Sequence, residues 1–129
     1  MKKIFYFITS SLILLSCSNI KKAALNLDDS DLHKIQINQN QIVKLKVKTN
    51  PSTGFSWITN IEEQEGIKLV DQYTEKINND PNVVGAPVYQ FYRIKGIKRG
   101  TYNLTFNYAR SWETNQNPSN TKQITLKVN

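Results

Sequence analysis

The sequence predicts an all-β domain, an immunoglobulin-like β-sandwich of about seven antiparallel strands with three binding loops at one end. Three observations carry that expectation. From Leu32 onward apolar and polar residues alternate with period two, as in strands with one face in a core and one in water. Turn residues interrupt the alternation at short intervals, so the remainder of the 129-residue chain holds several short strands around one self-supporting core. The connections also differ in kind: short ones follow the odd strands and long or unusual ones the even strands. Successive connections of an antiparallel sandwich alternate between its ends, so the unusual segments gather at one of them.

The chain opens with a targeting pattern. Lys2 and Lys3 supply positive charge, and Ile4 to Leu15 form an apolar run ending in small Ser16. That run falls short of the roughly twenty apolar residues that span a bilayer, so residues 1–16 are expected to be a cleaved signal peptide. Leu14-Leu15-Ser16-Cys17 resembles a bacterial lipobox, which implies a lipid on Cys17 and an exported protein held on the periplasmic or cell-surface face of a bacterial membrane. Cys17 is the sole cysteine, which excludes a disulfide within the chain. Cleavage removes two lysines and no acid, so the formal charge of +7 becomes +5. Residues 17–31 read as anchor and flexible tether. The acidic cluster Asp28-Asp29-Ser30-Asp31 lacks the glycine and distal glutamate of an EF-hand loop, and a solvated linker is expected there.

Residues 32–129 are expected to form the domain. His33 to Ile37 make a first strand, turned by Asn38-Gln39-Asn40. In the second, Val43, Leu45 and Val47 oppose Lys44, Lys46 and Lys48. The lysine row reads as a solvent face that blunts edge pairing, with no nucleic-acid partner expected after export. Phe55 to Asn60 form the third strand, with Trp57 expected in the core, and Glu62 to Gly66 close it. Ile67 to Thr74 are the fourth strand, and Glu75 to Pro87 a connection long enough to suggest function. Val88 to Lys95 are the fifth, whose inward face the pattern leaves open. Gly96 to Gly100 turn into a sixth strand with Tyr102, Leu104, Phe106 and Tyr108 on one face. A polar loop, Ala109 to Asn120, precedes the closing strand Thr121 to Val128. Because strand one would start at the loop end, the tether is expected to emerge beside the loops.

The most constrained stretch is Asn50-Pro51-Ser52-Thr53-Gly54-Phe55. Pro51 fixes its own φ and ends the preceding strand, Asn50 and Pro51 suit the first two positions of a type I turn, and Gly54 tolerates positive φ. Its shape is therefore set before a partner arrives. Catalysis is not expected: the sole histidine, His33, stands in the first strand, the sole cysteine is the expected anchor, and no cluster suggests a metal or cofactor. The residues alone leave open an anchored sandwich that binds an envelope component or adhesion partner.

Three segments in order, Asn50 to Phe55, then Gly85-Ala86-Pro87 with the candidate contact Val84 before it, then Arg110-Ser111-Trp112, resemble the three loop motifs of the chagasin family of cysteine protease inhibitors, with strands between them as in that family. The resemblance covers Ile35 to Val128. It implies a monomeric, reversible, non-covalent block of papain-like proteases. In that picture Thr53 and Gly54 approach the catalytic cysteine of the enzyme, the loop around Gly85 follows one side of the cleft, and Trp112 packs on aromatic residues of the other. Two positions depart from the family pattern. Pro87 and Val88 replace glycines of the second motif, and Ser111 stands where the third usually has proline, leaving that loop less preorganised.

Overall fold

The computed structural model describes residues 23–129; the expected signal peptide, Cys17 and the first part of the tether lie outside the described residues. Among the described residues eight strands form two four-stranded sheets: β1 (Leu25–Asn26), β2 (Lys34–Ile37), β3 (Ile42–Thr49), β4 (Ser56–Thr59), β5 (Ile67–Lys76), β6 (Val88–Gly96), β7 (Gly100–Ala109) and β8 (Asn120–Val128). One sheet runs β1-β3-β6-β5 and the other β2-β8-β7-β4. Single 3-10 turns occupy Pro51–Thr53 and Ile61–Glu63.

The period-two pattern explains the core. Val43, Leu45 and Val47 of β3 and Ile94 of β6 face Leu104, Phe106, Ile124, Leu126 and Val128 of the opposite sheet, all buried. Tyr92 also points inward and meets the Phe106 ring edge-on, centroids 5.5 Å apart, which resolves the ambiguous strand. Burial pushes the Tyr92 phenol well above its ordinary pKa, so it stays neutral. The opposite face of β6 is not bare. Phe91 stacks on Tyr73 at 5.0 Å, and Lys44 Nζ lies 4.8 Å from the Phe91 centroid. Lys46 Nζ lies 4.6 Å from the Tyr89 centroid. Lys44 and Lys46 therefore cover aromatic rings with their stems and charges, on a strand flanked by β1 and β6.

Two expectations are corrected. The strands are not all antiparallel, because β2 pairs with β8 and β1 with β3 in parallel. In an alternating chain the first and last predicted strands point the same way, and here they are neighbours. The segment expected to be tether is also part of the fold over its latter half. Leu27 is only 5% exposed, and burying a leucine contributes about 1.5–3 kcal/mol. Its backbone N–H donates to the Lys46 carbonyl at 2.8 Å. The acidic cluster closes a turn: Asp29 Oδ1 accepts from the Asp31 amide, Asp28 Oδ2 from the Lys48 amide at 3.0 Å, and Asp28 Oδ1 pairs with Lys122 Nζ at 3.2 Å. A two-residue strand carries too little alternation to be seen in sequence.

Candidate functional site

The three unusual segments meet at one pole of the sandwich. The first, after β3, is braced by its own polar groups. Asn50 caps the 3-10 turn, its Oδ1 accepting from the Ser52 amide at 3.3 Å and from Ser52 Oγ at 2.6 Å. Thr53 Oγ1 donates to the Asn50 carbonyl at 2.7 Å, and the Gly54 amide donates to the Pro51 carbonyl at 3.1 Å. Gly54 takes φ +76°, where a side chain is strained. Pro51, Ser52 and Thr53 stay exposed, so the bonds stiffen the turn without hiding its tip.

The third segment, after β7, buttresses the first. Arg110 Nε donates to the Thr53 carbonyl at 3.3 Å, its guanidinium lies 4.5 Å from the Phe55 centroid, and Nη1 bonds Glu113 Oε1 at 3.2 Å. Arg110 thus ties two loops together as well as bracing its own. The Trp112 ring lies against Gly54: a Cβ built there would stand 2.5 Å from Trp112 Cη2. Gly54 is required twice, for its φ and for this approach. Trp112 nevertheless remains 67% exposed. A large ring held from one side and open on the other is prepared to be covered by a partner. Ser111, between Arg110 and Trp112, is exposed.

The second segment, after β5, flanks the turn on the other side. Gly85 takes φ +73°, and a Cβ there would come 3.6 Å from Ser52 Oγ. Beside it Val84 is 95% exposed, with Val83 also exposed, and Ala86 and Pro87 lead into β6. Asp80 starts the bend, its Oδ1 accepting from the Asn82 amide at 2.9 Å. All twelve sequence-selected residues, Asn50 to Phe55, Val84 to Pro87, Arg110 and Trp112, therefore belong to this pole.

Sequence reasoning missed the pillar beneath it. Tyr108 of β7 accepts from the Asn50 amide through Oη at 3.2 Å, and its ring stacks between Phe55, at 5.2 Å, and Trp57, at 4.8 Å. Alternation placed Tyr108 only on one face with Tyr102, Leu104 and Phe106. Trp57 packs on the core but stays half-buried, its Nε1 donating to the Lys48 carbonyl at 2.9 Å. It clamps the base of the turn. Among the described residues, no group of His, Cys, Asp and Glu is arranged to hold a metal.

The chagasin family peptidase inhibitor I42 model matches residues 36–128. Amoebiasin-2 of Entamoeba histolytica is 32% identical over 106 residues, covering 81% of this chain and 85% of that protein. The crystal structure of a cysteine protease inhibitor from the same organism, EhICP2, superposes with a TM-score of 0.69 at 23% identity, covering 82% of this chain and 94% of the other. A structure of PbICP-C in complex with falcipain-2 shares the fold at a TM-score of 0.53 and 20% identity, over 83% of this chain and 90% of that one. The family match runs from the end of β2 through β8 and takes in all three loops, and the chain belongs to the chagasin family of peptidase inhibitors.

Proposed function

We propose that this inhibitor blocks papain-like cysteine proteases reversibly and without covalent chemistry. The turn at Asn50–Phe55 enters the active-site cleft, with Val84 and Gly85 against one wall and Trp112 against the other. The observation that carries the reading is the convergence of the three segments into one braced ridge bearing exposed Val84 and Trp112. Such a ridge loses little conformational freedom on docking, and ordering cost is what separates tight from weak interfaces of equal area. A nanomolar complex corresponds to about −12 kcal/mol, for which one buried aromatic anchor on a stiff frame is a common source.

The protein acts as a monomer and has no catalytic activity of its own. A lipid on Cys17, added after removal of residues 1–16, holds it to a bacterial membrane. More than one acyl chain makes that anchorage lasting, since each buried methylene contributes about 0.8 kcal/mol.

Titrating papain with the purified soluble chain tests the function. The expected result is loss of peptidase activity at equimolar inhibitor, recovered on dilution, with the inhibitor uncut by mass. Full papain activity in stoichiometric excess of folded inhibitor contradicts the proposal.

A further inference from the structure

The path of the chain into the domain fixes how an anchored inhibitor meets its target. β3 rises from Ile42, beside Lys95, to Thr49, beside Val88, and the Asn50–Phe55 turn follows at its top. β1 is parallel to it, with Leu25 beside Leu45 and Asn26 beside Lys46. The chain therefore enters from the Ile42 end. Ala23 lies in a groove with Gln41, Ile42 and Val43, at the pole away from the loops. The last residue is there too: the Asn129 amide donates to the Ile37 carbonyl at 2.8 Å, and its own carbonyl accepts from Gln39 at 2.9 Å.

This reverses the expectation that the tether emerges beside the loops. β2 does start toward the loop pole, but the turn through Asp28–Asp31 and the short β1 carry the upstream chain back down the sandwich. From Cys17 to Ala23 the chain can reach at most about 20 Å, the limit of full extension. The climb from the level of Val43 to Pro51 is about 25 Å at a strand's rise of roughly 3.3 Å per residue. That reach is shorter than the climb, so the domain cannot stand upright on its loops, and an anchor at Cys17 holds the pole of Ala23 nearer the bilayer.

We infer that the anchored inhibitor presents its three loops away from the membrane, to a soluble papain-like protease arriving from the aqueous side. The inference rests on the proposed anchor at Cys17 and adds a direction to it. Exposed Val84 and Trp112 then face solvent and not lipid.

The test uses the chain from Cys17 onward, its only thiol coupled to a maleimide phospholipid in vesicles, so natural lipidation is not needed. Trp57 pairs with Tyr108, which pairs with Asn120, so Trp57 and Trp112 both belong to the loop half and native fluorescence reports that pole. Nitroxide headgroup lipids are expected to leave this fluorescence unchanged. Inhibition of soluble papain should match that in detergent within about twofold, since the docking surface is preformed. Deleting residues 18–22 should alter neither result. Strong quenching, or a tenfold loss of inhibition on vesicles restored by detergent, overturns the orientation. Failure to inhibit even in detergent strikes the proposed function instead, and the quenching still decides the orientation.

Discussion

The two poles of this sandwich are built on the same eight strands yet treat their apolar groups in opposite ways. At the pole of the chain ends, turns are short and filled. Ile61 is buried, a Cβ on Gly96 would stand 2.9 Å from Val128, and the Tyr102 phenol donates to the Lys98 carbonyl at 2.7 Å. At the loop pole, Gly54 and Gly85 hold positive φ while Val84 and Trp112 project into water. One end completes the fold, and the other stores surface for a partner. The difference teaches that stiffness and exposure coexist where polar groups bond back to their own loop, as Asn50 and Thr53 do, and leave the tip open.

Breaking the loop pole should cost inhibition and little stability. The largest effect is expected for Gly54→Ala, which meets left-handed strain of about 1–2 kcal/mol and displaces the Trp112 ring. With the anchor misplaced as well, inhibition of papain should weaken more than a hundredfold, or about 3 kcal/mol, with the far-ultraviolet spectrum unchanged. Trp112→Ala removes the anchor alone and should weaken inhibition near thirtyfold, about 2 kcal/mol, by the same assay. Arg110→Ala cuts the tie to Thr53 and Phe55 while leaving both contact surfaces. About tenfold weaker inhibition is expected, with faster amide exchange at residues 50–55 before any protease is added.

Perturbing the other pole and the sheet should do the reverse. Tyr102→Phe loses one hydrogen bond to Lys98 and should lower unfolding free energy by about 1 kcal/mol in a denaturant titration, with inhibition intact. Smallest of all is Asp71→Asn. Arg93 bonds the Asp71 carboxylate and holds it below its ordinary pKa, so the pair's stabilisation is complete above the carboxylate range and is lost as pH falls through the lowered value. The variant should match the parent in acid and be slightly less stable at neutral pH, a small difference because both groups are solvent-exposed.

The loop pole was legible because its signals are local. Proline after asparagine, glycine at the fifth position of the turn and the ordered recurrence of three motifs are all written in short stretches, and parity of the strands brings them together. Strand limits from Ile42 to Val128 followed from alternation to within two residues for the same reason, the widest gap being β5, which runs on through Glu75 and Lys76. What stayed hidden depends on distant partners. Nothing near Leu25 announces that two residues will pair with Leu45 and Lys46, and Asp28 looks like linker until Lys48 and Lys122 come beside it. Tyr108 and Arg110 are of that kind: their roles as pillar and tie exist only once β7 stands next to β4.

Amide hydrogen exchange of the papain complex tests the central claim most directly, because it reads both poles in one experiment. Protection is expected together at residues 50–55, 83–87 and 110–113, with residues 38–41, 61–66 and 96–100 unchanged. Protection confined to one loop, or appearing at the pole of the chain ends, would contradict a single three-part ridge as the inhibitory surface.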